Sequence, residues 1–264
     1  MNKGILLVFL TIFYAKVAFA HEYWLEPKKF WGQIGEEIPI QLYVGDSLVK
    51  ELEERAFQKD KTPVFRLFSV GEVFDLKALI ADGAKPVYVL KPKRDGGYLF
   101  FMHRNWSYIT LPADKFESYL KEDGMEYIIE ERKKRGEQEK SARERYCRFI
   151  KTLVQIGDIK DETYKSQTGA ILDIIPMENP YLKKLGDTLR FQVLFEGKPL
   201  SNRSVFVIHK EVGRRRYLTN RDGIFQMKLE NPGLWLVHLV LMRRCNCKDA
   251  DWESFWGAFS FGVK

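Results

Sequence analysis

Leu189, Phe191, Val193 and Phe195 alternate strictly with polar or smaller neighbours, and Gly197-Lys198-Pro199 follows them. A repeat of two places such side chains on one face of a β-strand, because successive residues of an extended chain point to opposite sides. The pattern recurs at Ile38, Ile40, Leu42 and Val44, which alternate with Pro39, Gln41 and Tyr43 and stop at Gly45-Asp46. Residues 64–70 and 87–90 read as short strands, and Asp95-Gly96-Gly97 turns the chain into a further one at 98–102. Asn220-Arg221-Asp222-Gly223 is a hairpin signal between strands at 204–208 and 224–229. Pro232-Gly233 leads into residues 234–242, apolar on both faces and so a central strand, and residues 255–263 close the set. Short strands with Gly-marked turns predict antiparallel sandwiches of the immunoglobulin or transthyretin kind.

Between the two β regions the composition changes. After Leu111-Pro112, the residues Phe116, Tyr119 and Leu120 have helical spacing, and Asp123-Gly124 breaks the run. Residues 125–156 are rich in Glu, Lys and Arg and lack Pro. Tyr146, Phe149, Ile150 and Leu153 recur there at i, i+3, i+4 and i+7, which predicts an amphipathic helix, with an interruption near Gly136. The expected architecture is mainly β: a β-sandwich domain at 21–112, a helical insert at 113–157 and a second β-sandwich domain at 158–264.

Residues 1–20 read as a cleavable secretion signal. Met1-Asn2-Lys3 is a short basic start, an apolar run follows, and Ala18-Phe19-Ala20 has the small-x-small pattern that signal peptidase needs. A spanning helix needs about 20 apolar residues, and this run is shorter. Export to the periplasm is the expectation, with no membrane span left after cleavage. The chain has 43 Lys+Arg against 36 Asp+Glu. The signs are interspersed apart from Arg132-Lys133-Lys134-Arg135 and Arg214-Arg215-Arg216, which read as solvated faces, so nucleic acid is not an expected partner. Cys147, Cys245 and Cys247 form an odd set for an oxidising compartment. A bridge from Cys147 to either member of the Cys-x-Cys pair is one reading, and a soft-donor cluster of Met242, Cys245 and Cys247 suited to Cu(I) is another.

The common catalytic templates are missing: there is no P-loop, no dinucleotide glycine fingerprint, no H-E-x-x-H and no G-x-S-x-G. Chemistry concentrates instead on His21. Cleavage after Ala20 gives this residue a free α-amine beside its imidazole, and amine and Nδ1 together close a six-membered chelate on a metal ion. Reference pKa values of about 8 and 6.5 mean that a divalent metal displaces little proton near neutral pH. Nitrogen donors of this type favour Cu(II) and Ni(II). A second histidine would complete a brace, and His103 and His238 are the candidates for it. His209 and His238 both fall on apolar strand faces, where a histidine is commonly a satisfied core residue.

Several stretches resemble the NikM-like family of periplasmic proteins, labelled as the periplasmic component of cobalt/nickel transport. They are His21-Glu22-Tyr23-Trp24-Leu25-Glu26-Pro27, Leu111-Pro112-Ala113-Asp114-Lys115-Phe116, Arg143-Glu144-Arg145-Tyr146 with Lys151-Thr152-Leu153-Val154, Leu172-Asp173-Ile174-Ile175-Pro176 with Asn179-Pro180-Tyr181, Gly197-Lys198-Pro199-Leu200, and Asp251-Trp252-Glu253-Ser254. The resemblance implies a metal-handling protein beside an inner-membrane transporter, with His21 as ligand. Nickel members carry a second histidine near the mature start. Here Tyr23 stands two residues after His21, which leaves copper open beside nickel and cobalt.

The first expectation is therefore a periplasmic transition-metal-binding protein, not an enzyme, that binds Cu or Ni/Co through His21 with His103 or His238. A second is a structural or adhesive sandwich that binds protein or glycan without metal, for which Trp24, Trp31 and Trp106 are candidate contact residues. A third is a copper oxidase built on a histidine brace, which would need an open, flat metal face.

Overall fold

The computed structural model describes residues 22–264, apart from the side chains of Lys50 and Glu51. The expected leader and His21 lie outside the described residues. The chain begins with β1 (Glu22–Pro27), β2 (Trp31–Gly32), β3 (Ile38–Asp46), β4 (Lys50–Arg55), β5 (Val64–Ser69), β6 (Glu72–Asp75), β7 (Tyr88–Leu90) and β8 (Gly96–Leu111). Two helices follow, α1 (Ala113–Glu122) and α2 (Glu126–Lys134), and then β9 (Ala142–Ile156). The remainder holds β10 (Leu172–Pro176), β11 (Thr188–Phe195), β12 (Lys198–Pro199), β13 (Ser204–His209), β14 (Gly213–Leu218), β15 (Ile224–Lys228), β16 (Gly233–Arg244) and β17 (Trp252–Val263). No helix among the described residues is long and apolar enough to cross a membrane.

A 9-stranded sheet in the order β14-β13-β16-β17-β9-β8-β5-β6, with β2 added along β9, is the middle layer. A 4-stranded sheet of β1, β3, β4 and β7 covers one face, and another of β10, β11, β12 and β15 covers the other. The pleat decides which side chain serves which layer. Ile150, Leu236 and Ala258 pack with Leu25, Ile38 and Ile40 of the first small sheet. Their strand neighbours Phe149, Val237 and Phe259 pack with Ile174, Phe191 and Phe225 of the second. Burying a side chain the size of Ile150, Leu236 or Phe259 contributes roughly 1.5–3 kcal/mol, so both faces of the middle sheet are committed to core.

The protein is mainly β with several sheets, and its two halves share one of them. β17 pairs in parallel with β9 from Trp252↔Glu144 to Ser260↔Thr152, joining strands from before and after the helices in a single ladder. The expected helix through Tyr146, Phe149, Ile150 and Leu153 is instead the strand β9, paired on its other side with β8 from Gly96↔Ile156 to Leu111↔Ala142. Pairing on both edges and burial on both faces outweigh the helix-forming charges that precede it. The helical part is thus an excursion from the β8–β9 hairpin, and it ends at Lys134 rather than at 157.

A side-chain hydrogen bond ties β1 to the middle sheet. Ser260 Oγ donates to the Leu25 carbonyl at 2.5 Å and lies 2.7 Å from Thr152 Oγ1, so short hydroxyl side chains take the place of bulk beneath it. The two helices cover the same face further along, where Phe116, Tyr119, Leu120 and Ile128 bury Val240, Met242, Trp252 and Trp256. The seam between β1 and the helices is where the polar groups collect.

Candidate functional site

His238 stands on β16 in this seam, between Leu236 under the first small sheet and Val240 under the helices. It is only 2% exposed. Its Nδ1 lies 3.1 Å from the Gly257 carbonyl oxygen. A carbonyl can only accept, so Nδ1 carries the proton and Nε2 is left with a bare lone pair. That Nε2 is buried and has no hydrogen-bond partner. Burial, reinforced by the field of Arg214, lowers the imidazole pKa to about 3, so the ring is neutral.

The nearest group across from it is Asp123, whose Oδ1 is 4.0 Å from His238 Nε2. Since the imidazole is neutral, this is a lone pair facing a carboxyl group and not an ion pair. Asp123 terminates α1, with its backbone N–H donating to the Tyr119 carbonyl at 3.0 Å. Gly124, at φ 67°, then turns the chain, and its carbonyl accepts from Ser204 Oγ at 2.9 Å. The left-handed turn and the adjoining Ser204 leave no room for a side chain there. Asp123 is thereby fixed facing inward. Burial pushes its pKa up to about 7 against the opposing pull of Arg214.

Arg214 of β14 reaches into the seam over the Phe206 ring, 3.6 Å from its centroid. Its Nη2 donates to Asp123 Oδ1 at 2.6 Å and its Nη1 to the Glu122 carbonyl at 2.8 Å. Its Nε is 3.8 Å from Oε1 of Glu22, the first residue of β1. Glu22 is buried, which raises its pKa, and its Oε2 accepts from the Ser47 N–H at 3.2 Å. On the far side of the seam Glu144 is buried beside Tyr119 Oη at 3.1 Å and Ser254 Oγ, and burial raises it to about 7. Arg148 completes the cluster, stacked over Tyr23 at 4.3 Å.

The other sequence-named residues lie elsewhere. His103 stacks on Phe149 at 4.8 Å, on the opposite face of the middle sheet from His238, so the two cannot share one ion. Desolvation lowers its pKa too. His209 has both ring nitrogens engaged, Nε2 with the Pro232 carbonyl at 3.1 Å and Nδ1 with the Glu211 N–H at 3.2 Å, which makes it structural. The disulfide joins Cys245 to Cys247, and Cys147 is free and buried. Bridged sulfurs are no thiolate donors, and Met242 is buried in the apolar cluster beneath the helices. Trp24 is core, Trp31 packs on Tyr181 and Trp106 on Phe255, so the three form no common face.

Asp123, Arg214 and Glu144 are members of the seam that sequence reading does not single out. Asp123-Gly124 reads only as a helix break. The two arginine runs read as solvent-facing, yet Arg214 turns inward while Arg215 and Arg216 pair at the surface with Glu230 and Glu126. Arg132 is likewise buried, with Nη2 donating to the Glu137 and Lys140 carbonyls at 2.6 Å each. Among the described residues no group of three or more His, Cys, Asp and Glu side chains is arranged to hold a metal ion.

Comparison with solved structures gives only distant likeness. The D0-D1 domain of Intimin is 10% identical over 91% of this chain and 97% of that one, with a TM-score of 0.21. Dimeric latent PorU from Porphyromonas gingivalis is 9% identical over 95% of this chain and 21% of that one, with a TM-score of 0.19. No curated protein matches the chain. The match of a family model to residues 18–243, which include β1 with Glu22, both helices and His238, assigns the chain to DUF4198, a domain of unknown function.

Proposed function

We propose that the mature protein is a periplasmic transition-metal carrier whose ion is held by the α-amine and imidazole of His21 together with His238 Nε2. The observation that carries this reading is the neutral, fully buried imidazole of His238, which has an unpartnered lone pair aimed at Asp123. A buried lone pair without a donor is costly, commonly about 1–3 kcal/mol, and a metal ion removes that cost. The Nδ1–H of His238 is held by a backbone carbonyl, the outer contact that fixes metal-binding histidines. First-row metals bind nitrogen and oxygen at about 2 Å, which suits an ion between His238 and Asp123. His21 is bonded directly to Glu22, whose carboxylate already belongs to the seam.

The donor set would be two nitrogens of His21, one of His238 and an oxygen of Asp123, with Arg214 orienting the carboxylate. Three nitrogens and one oxygen suit Cu(II) first and Ni(II) or Co(II) next. Burial of His238 supports carriage over the open, flat face that an oxidase requires. This agrees with the NikM-like resemblance and its label of accessory to a cobalt/nickel transporter.

The test compares Cu(II) and Ni(II) binding by protein beginning at His21 with binding by its His21→Ala variant, using calorimetry. The proposal expects affinity to fall at least about a hundredfold in the variant, since a contact one shell further from the metal is already worth roughly 10–100-fold. Equal affinity would contradict it.

A further inference from the structure

A second site opens on the other side of β1. Trp24, Glu26, Tyr43, Leu48, Leu52 and Leu234 are among the walls of a cleft of about 310 Å³ between the first small sheet and the β13–β14 and β15–β16 turns. That volume is at the lower end of the range of small-molecule pockets. Trp24 and Tyr43 stack at 5.7 Å and form an aromatic wall. Glu26 is half-buried beside them, with Oε2 accepting from Trp24 Nε1 at 2.8 Å. Burial raises its pKa, opposed by the Trp24 hydrogen bond and the field of Lys28, and among the described residues no Lys or Arg forms an ion pair with it. Pro232, Glu211 and Lys210 also line the cleft, and Glu211 and Lys210 are exposed to solvent.

A half-buried carboxylate in an apolar cleft is the chemistry that recognises ammonium groups, through a charge-assisted hydrogen bond. An anion would meet Glu26 and Glu211. A sugar would need an open aromatic face, and Trp24 is 1% exposed. We propose that this cleft binds a primary amine carrying a compact apolar body, with the ammonium on Glu26 and the body against Tyr43, Leu48 and Leu234.

Benzylamine, benzyl alcohol and benzoate are titrated separately into the purified protein, followed by calorimetry and ligand-observed NMR. The proposal expects benzylamine to bind at submillimolar to millimolar concentration, and the alcohol and benzoate to bind at least about tenfold more weakly, as the loss of a charge-assisted hydrogen bond implies. Glu26→Gln should weaken benzylamine by a similar factor. Leu52 is 51% exposed, so Leu52→Arg leaves the core alone and should weaken the amine by placing a cation at the mouth. Equal binding of amine and alcohol, insensitivity to both variants, or no amine binding at millimolar concentration would each overturn the assignment.

Discussion

Asp123 and Arg214, 91 residues apart in the chain, meet at 2.6 Å in the seam between β1 and the helices. The contact ties the end of α1 to β14, at one edge of the middle sheet, and it holds the carboxyl group that faces His238.

Breaking that contact should expose how much of the fold depends on it. Arg214→Ala leaves a buried carboxyl without its cation, and losing one partner of a buried pair commonly costs about 3–5 kcal/mol. Arg214 is 24% exposed on its side chain, so a loss of about 2–3 kcal/mol is expected at pH 8. Below pH 7 Asp123 becomes neutral, and the deficit should shrink. Urea denaturation at pH 8 and pH 5.5 measures both values.

Glu144 sets a second pH dependence. Its pKa rises from 4.5 to about 7 on folding because burial penalises the charged form. A raised acid is accommodated without penalty below pH 4.5, and stability is lost as the pH climbs through 7. The full loss is about 3 kcal/mol, from roughly 1.4 kcal/mol per pKa unit. Asp123 acts in the same direction. Glu144→Gln should flatten the denaturation midpoint between pH 5 and pH 8, and a profile as steep as the parent's would contradict this assignment.

The thiols should separate cleanly. Cys147 is buried on β9, and burial pushes its pKa up to about 12, so the native protein should not react with iodoacetamide at pH 8. Reduction should add two alkylated sites, at Cys245 and Cys247. Cys147 should react only in denaturant. Mass spectrometry of the peptides reads all three.

β9 offers a test of the architecture. It lies at the junction of the two halves, paired with both β8 and β17. Its amides from 145 to 154 should therefore be among the slowest to exchange with deuterium, and those of α2 should exchange far sooner. The reverse order would mean that the middle sheet is not the stable unit.

Most strands are readable in the chain because their period-two patterns lie beside glycine turns. Leu189 to Phe195 and Ile38 to Val44 appear where expected. β9 is misread because Arg143, Glu144, Arg145 and Arg148 interrupt the strand pattern. Their destinations are set by partners far away: Arg143 pairs with Asp251, Arg145 with Glu253, and Glu144 with Ser254. The same limit governs the site. His238 can be named from its strand face, whereas Asp123 looks like a turn and Arg214 like solvent-facing charge until the sheet and helices bring them together. His103 is lost as a partner because its strand parity directs it to the other face, and parity is relative to a register that only the folded sheet defines.

Electron paramagnetic resonance of protein beginning at His21, loaded with one equivalent of Cu(II), tests the metal account most directly. The account predicts nitrogen superhyperfine structure from three nitrogens, reduced to two in His238→Gln. Identical spectra from the two proteins would show that His238 does not touch the ion, and the seam would then be a purely structural polar cluster.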